Sequence, residues 1–330
     1  MEEMMVWVKF ILAAAVIVFA ANYLAKYGDI IAVRTKLGGM FIGILLLAGA
    51  TSLPELLTSA SAISQGTPNL AAGNLLGSNS FNMLLLAVID MIYRKKRVLR
   101  NAALKHALTG SLAIVLIGVV MFFILAKIDF AIGWVGIDSL FIIAFYIFAV
   151  WLIQKNSSVT VVQQPVDEDD AKKNSLLKGI IGFLAAAAVL VLITPVMVRN
   201  ANEIAIITGL GTTFIGTTLV AIVTSLPELV TTLAAVKIGA EDMAIGNLFG
   251  SNMFNMFAIG LTDLFYTQGN FLSAISPDFL LVAITGLVMT GFGLIGNLAK
   301  LEKRILFVEL DALALVLFYI LSTWLLYVRS

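Results

Sequence analysis

Along this chain, apolar runs near twenty residues long alternate with short polar breaks from one end to the other. At 1.5 Å of rise per residue, a helix of about that length crosses the roughly 30 Å hydrocarbon core of a bilayer. Ten such spans fit, at about 5–25, 38–64, 68–92, 104–126, 132–153, 176–199, 209–236, 242–266, 277–299 and 305–328. Hydrocarbon offers no partner to backbone N–H and C=O groups, so spanning segments are helices or closed barrels. Segments this long and this continuously apolar predict helices. The one long polar stretch, Gln154 to Asn174, divides the chain into residues 1–153 with five spans, a linker at 154–175, and residues 176–330 with five more. An odd number of spans per half turns the second half upside down relative to the first. The expected fold is therefore an all-α polytopic membrane protein, ten transmembrane helices in two inverted five-helix repeats.

Composition agrees with that reading. The chain is 60% hydrophobic and 12% charged, against roughly 25% charged residues in a soluble domain. A net charge of +1 gives no reason to expect a nucleic-acid partner, and the absence of cysteine removes disulfide and thiolate chemistry. The opening MEEMMVWVKF starts acidic and lacks a small-residue cleavage site, which reads as a retained first span. With the N-terminus outside, 17 of the 21 lysines and arginines fall in inside loops, leaving Lys9, Lys127, Arg199 and Arg329 outside. The positive-inside rule then places the chain in the cell membrane, multi-pass, with both termini extracellular and the linker cytoplasmic. The acidic run Asp167–Asp170 reads as part of that solvated linker. His106 and, at the last span, Glu309 and Asp311 read as interfacial.

The polar residues inside the apolar segments are not scattered. TSLPELLTSA begins at Thr51 and GNLLGSNSFNM at Gly73; TSLPELVTTLA begins at Thr224 and GNLFGSNMFNM at Gly246. The offset is 173 throughout, and windows 39–93 and 212–266 share 26 identities in 55 positions without a gap. An apolar bias alone does not repeat polar residues in register. Two halves of this kind, inverted against each other, are how many secondary transporters build a site near the membrane midplane.

Proline within a helix removes a backbone hydrogen bond and clashes with the carbonyl four residues back. Pro54 and Pro227 should kink or break their helices just before Glu55 and Glu228, freeing carbonyls beside Thr51 and Ser52, or Thr224 and Ser225. On the next helix, Ser78 and Asn82, or Ser251 and Asn255, lie four apart on one face, with Asn74 and Asn247 a turn earlier. Asn79 and Asn252 point elsewhere and read as packing residues, while glycines 73, 77, 246 and 250 permit close helix approach. A glutamate at the bilayer centre costs about 2.5–3.5 kcal/mol on insertion scales. Two of them at matched positions, with no Lys or Arg nearby in sequence, call for a cation as counter-charge. Carboxylates, carbonyls and hydroxyls suit a hard ion, and flexible all-oxygen coordination favours Ca²⁺ and Na⁺ over Mg²⁺. A Ca²⁺/H⁺ antiporter, a cation channel and an intramembrane enzyme are the competing readings. The last lacks any Ser/His or ligand-His constellation.

TSLPE with GNLLGSNSFN, repeated as TSLPE with GNLFGSNMFN, resembles the alpha repeats of sodium/calcium exchangers in the calcium:cation antiporter superfamily, prokaryotic type. The resemblance implies a Na⁺/Ca²⁺ antiporter in which Glu55 and Glu228 are shared ligands. Thr51, Ser52, Ser78 and Asn82, with Thr224, Ser225, Ser251 and Asn255, match the other side-chain ligand positions. The carbonyls of Ala48 and Ala221 match backbone ligands. Potassium-dependent relatives carry aspartate where Asn255 stands, which argues against potassium co-transport, and the proton-coupled branch shows GNAxE in place of TSLPE, which argues against a dedicated proton exchanger. No cofactor, catalytic residue or obligate protein partner is expected. The partners are the lipid bilayer and the transported Ca²⁺ and Na⁺.

Overall fold

A computed structural model of the chain describes residues 2–35, 49–93, 106–128, 130–156, 175–237, 241–299, 304–305 and 308–329. The first half holds α1 (Glu2–Thr35), α2 (Leu53–Ser64), α3 (Pro68–Ile92), α4 (Ala107–Ala126) and α5 (Ile137–Asn156). The second holds α6 (Leu176–Thr208), α7 (Thr212–Thr224), α8 (Leu226–Lys237), α9 (Glu241–Thr262), α10 (Phe271–Ala274), α11 (Phe279–Ala299) and α12 (Leu310–Arg329). Among the described residues, seven helices are long and apolar enough to cross a membrane, or eight if the bent pair α7 and α8 is one span. Helix α9 is not among them, because Asn247, Ser251, Asn252 and Asn255 dilute its apolar character. The expected span 38–64 is described only from Gly49 onward.

The offset of 173 extends far beyond the motifs. It carries α2 onto α8 residue for residue, and α5 onto α12. It also carries α3 onto α9 together with the 3₁₀ turn Asp263–Phe265 that follows it. Two short ladders that an all-helical expectation missed obey the same offset. β1 (Ala131–Ile132) pairs antiparallel with β2 (Val135–Gly136), and β3 (Arg304–Ile305) with β4 (Val308–Glu309), in the same register. Two-residue strands have no hydrophobic alternation to announce them.

Position within the bundle follows from composition. The apolar core of α3 is 78% buried, whereas those of α1 and α6 are 28% and 22% buried. α3 is rich in small and amide residues that pack against protein, while α1 and α6 present Ile11, Phe19, Ile181, Leu184 and Leu192 outward and pack on each other. Gly73 and Gly77 let α3 lie directly on α7. A Cβ on Gly73 would stand 2.8 Å from the Thr217 backbone nitrogen, and one on Gly77 would collide with the Thr217 carbonyl. At that contact α7 is a π-helix over Gly216–Val220, the kind of irregularity that recurs at functional sites. Gly246 faces the His106 ring rather than backbone.

Buried acids fasten the ends of the bundle. Asp263 accepts from the Gly136 and Phe271 amides, both at 2.7 Å, and ties the β1–β2 hairpin to the end of α9. Asp138 accepts from Ser139 N and Asn270 Nδ2 at 2.8 and 2.9 Å. Its counterpart Asp311 is buried against Gly296 at the start of α12 and accepts from Ala312 N. The side chain of Glu309 lies outside the described residues.

Candidate functional site

The site is built on two helix breaks. Ser52 and Ser225 adopt almost the same backbone, φ −94° ψ 7° and φ −90° ψ 6°, in the bridge region between helix and strand. Each break is followed by Leu-Pro-Glu, which places Pro54 and Pro227 in the first turn of the new helix. There a missing N–H leaves no bond unmade. In the second half the axis turns by 42°. The kink expected from the prolines is present, and its pivot is the serine two positions before each. The same breaks set Glu55 and Glu228 in the first turns of α2 and α8, facing the positive ends of those helix dipoles.

The two breaks meet, and their side chains cross. Ser52 Oγ donates to Glu228 Oε1 at 2.9 Å, and Ser225 Oγ donates to Glu55 Oε1 at 3.1 Å. Ser251 Oγ adds a second donor to Glu228 Oε1 at 3.4 Å. Thr51 approaches the Glu228 carboxylate and Thr224 that of Glu55. Both glutamates are buried, 1% and 0% exposed. Each engages its donors through Oε1, and among the described residues no donor reaches Oε2 of either one. Burying an unsatisfied carboxylate oxygen is costly. Two of them at matched positions mark a place built for something positive.

The neighbouring helices α3 and α9 complete the wall. Asn82 Nδ2 donates to Asn252 Oδ1 and Asn255 Nδ2 donates to Asn79 Oδ1, each at 3.0 Å. Asn82 Oδ1 and Asn255 Oδ1 are buried with no donor among the described residues. The acceptor oxygens left over in the repeated motifs thus include two carboxylate and two amide oxygens matched at the offset of 173, all 0–1% exposed by residue. Ser78 Oγ lies 3.5 Å from the Ala221 carbonyl, which also receives Ser225 N and Thr224 Oγ1. Asn74 ties the layers together, donating to Glu55 O and Ser59 Oγ and accepting from Thr224 Oγ1 at 2.8 Å.

The structure therefore gathers Thr51, Ser52, Glu55, Ser78, Asn82, Ala221, Thr224, Ser225, Glu228, Ser251 and Asn255 into buried positions on the motif helices. Ala48 lies outside the described residues. Ser251 donates to Glu228, whereas its counterpart Ser78 turns to the Ala221 carbonyl. Asn79 and Asn252 correct the sequence reading. They are not packing residues but the acceptors that hold the Asn82 and Asn255 amides from the opposite half. Their recurrence at the offset of 173 was the available signal. The all-oxygen donor set, with no nitrogen or sulfur acceptor, suits a hard cation.

Known proteins resemble this chain in sequence and in fold. The family model described as sodium/calcium exchanger protein matches residues 5–154 and 178–328. The sodium/calcium exchanger MaX1 of Methanosarcina acetivorans is 28% identical, the alignment covering 96% of this chain and 100% of MaX1. In fold, the chain resembles the crystal structure of the H⁺/Ca²⁺ exchanger CAX with a TM-score of 0.75 at 15% identity, covering 98% of this chain and 85% of that one. It also resembles the sodium-calcium exchanger NCX_Mj, with a TM-score of 0.58 at 23% identity over 96% and 97% of the two chains.

Proposed function

The chain belongs to the sodium/calcium exchanger protein family, and on that premise we propose that it is a secondary antiporter exchanging Na⁺ for Ca²⁺ by alternating access. Ten spans carry the exchange, with residues 1–153 and 176–330 inverted against each other, residues 154–175 cytoplasmic and both termini extracellular. The coincidence of element boundaries at an offset of 173 supports the paired halves.

One observation carries the proposal: among the described residues no donor reaches one buried carboxylate oxygen of Glu55 and one of Glu228, while serines of the opposite half hold the other oxygen of each. Glu55 and Glu228 are the ligands shared by Ca²⁺ and Na⁺, and Thr51, Ser52, Ser78, Asn82, Thr224, Ser225, Ser251 and Asn255, with the carbonyls of Ala48 and Ala221, are the oxygens from which the two ions draw the rest of their shells, about 6–8 in all for Ca²⁺. Two carboxylates neutralise one Ca²⁺, and the hydroxyl and amide oxygens replace its water at the distances its flexible shell accepts. Na⁺ competes for the same oxygens. When Na⁺ occupies them, the serine hydroxyls that cross between the halves keep both carboxylates oriented.

Purified protein in sealed vesicles tests the reading. A Na⁺ gradient at clamped pH should drive Ca²⁺ uphill. A H⁺/Ca²⁺ exchanger would need the pH gradient, and a channel would move no ion uphill. Ca²⁺ that stays at equilibrium under every Na⁺ gradient overturns the proposal.

A further inference from the structure

The oxygen and nitrogen of a buried amide are told apart by the partners they meet. Asn252 meets partners that leave no choice. Thr290 Oγ1, on α11, donates its single proton to the Gly286 carbonyl at 2.6 Å. It can therefore only accept from Asn252 Nδ2, which stands 3.2 Å away. The same Nδ2 reaches the Asn79 carbonyl at 3.4 Å. With its nitrogen so engaged, Asn252 turns Oδ1 toward Asn82 and receives Nδ2 of that residue at 3.0 Å. Asn82 is left with Oδ1 facing the other way, buried and without a donor among the described residues.

The related relay in the other direction has no such anchor. Asn255 Nδ2 donates to Asn79 Oδ1 at 3.0 Å, but among the described residues Asn79 Nδ2 meets no acceptor. Position 117, which the offset of 173 matches to Thr290, is isoleucine. A hydroxyl thus terminates one relay and a hydrocarbon stands at the corresponding position for the other. Resting on the exchanger reading above, we propose that Thr290 is a positioning residue for cation selection. Through Asn252 it fixes the Asn82 amide with its oxygen toward the ion, and so makes Asn82 the committed amide ligand of the two. Thr290 touches no ion itself. It is fully buried and acts at the third link of a hydrogen-bonded chain, Gly286–Thr290–Asn252–Asn82.

A reversed Asn82 amide would offer N–H to a cation, which repels it. Replacing Thr290 by Val or Ala removes the nearer of the two acceptors that oppose that reversal and leaves only the Asn79 carbonyl at 3.4 Å, while Ser retains both. Measured as Na⁺-driven Ca²⁺ uptake by the full chain in vesicles, T290V and T290A should each raise half-saturating Ca²⁺ roughly tenfold, the size expected from one mis-oriented polar ligand. Turnover at saturating Ca²⁺ should stay within about twofold, since an interaction made equally in ground and transition states moves KM alone. T290S should restore the wild-type half-saturation. The Val and Ala variants differ in volume, so a packing defect would separate them and would lower the thermal unfolding temperature; loss of the acceptor affects both alike. Half-saturation unchanged in T290V and T290A overturns the inference, as does a T290S as impaired as T290V. A wild-type chain without Na⁺-driven Ca²⁺ uptake overturns the exchange reading instead, and this inference with it.

Discussion

Ser52 and Glu228, 176 residues apart in the chain, are joined by a hydrogen bond of 2.9 Å that crosses from one half of the molecule to the other. Its counterpart runs the opposite way, from Ser225 to Glu55 at 3.1 Å. Each carboxylate is thus held by a serine of the half to which it does not belong, with Ser251 adding a donor to Glu228 from its own half.

The carboxylates are the first test. Glu55→Gln and Glu228→Gln preserve shape and remove one negative charge each. Na⁺-driven Ca²⁺ uptake should fall more than about 100-fold in either variant, as expected when a directly bound charge is lost from a desolvated site. Thermal unfolding in detergent should change little. Near wild-type uptake in either variant would remove that glutamate from the ion cage.

The serines should behave as a pair. Ser52→Ala and Ser225→Ala each take one donor from a carboxylate, a hydrogen bond to a charged group worth about 1.5–3 kcal/mol. Half-saturating Ca²⁺ should rise by roughly 10- to 100-fold in both. Because the two bonds share one cage, the double variant should fall short of the product of the single effects in a double-mutant cycle. Strict additivity would separate the two contacts into independent sites.

Protons should compete with the ion. A proton on Glu55 or Glu228 removes the charge that holds Ca²⁺ and caps an oxygen the ion needs. Half-saturating Ca²⁺ should therefore rise reversibly as the medium is taken from about pH 8 to about pH 5, toward the range where carboxylates titrate. A flat profile would mean that neither glutamate contacts the ion.

Helix approach gives a stability test. Gly77→Ala sets a methyl group against Thr217 backbone, which cannot step aside, and overpacking of that kind costs about 1–3 kcal/mol. Gly246→Ala meets the His106 ring, a side chain able to shift. G77A should lower the thermal unfolding temperature clearly more than G246A. The reverse order would contradict the packing described for α3.

Charge movement is the last test. With Asn82 and Asn255 neutral, a cage with two glutamates is close to neutral when it holds one Ca²⁺. Any Na⁺ load above two on the return leg carries net charge, worth roughly 2.3 kcal/mol per charge per 100 mV. Exchange should respond to a valinomycin-set potential. Indifference to the potential would mean that the carrier moves two Na⁺ for each Ca²⁺.

Much of this is legible in the sequence. TSLPE and its copy announced both the helix breaks and the buried charges, because proline chemistry is local and a repeated glutamate in an apolar run has few uses. Other features depend on what lies across the interface. Asn79 and Asn252 sit one residue past the serines, on a face that helical geometry alone assigns to packing, and only the opposing helix makes them acceptors. Thr290 was invisible for the same reason: its relevance comes through Asn252, 38 residues away. The two ladders escape because they are too short to leave a pattern, and the burial of Asp311 against Gly296 is a tertiary fact.

The crossed bonds obey a rule familiar from symmetric dimers. Ser52 reaches the glutamate of the other half while the serine of that half reaches Glu55, and Asn82 and Asn255 exchange with Asn252 and Asn79 in the same manner. In such an isologous contact, residue i touches j and j touches i, so one surface complements a second copy of itself. A half-length ancestor bearing one serine, one glutamate and the asparagine pair would already have completed every one of these contacts by pairing with its twin.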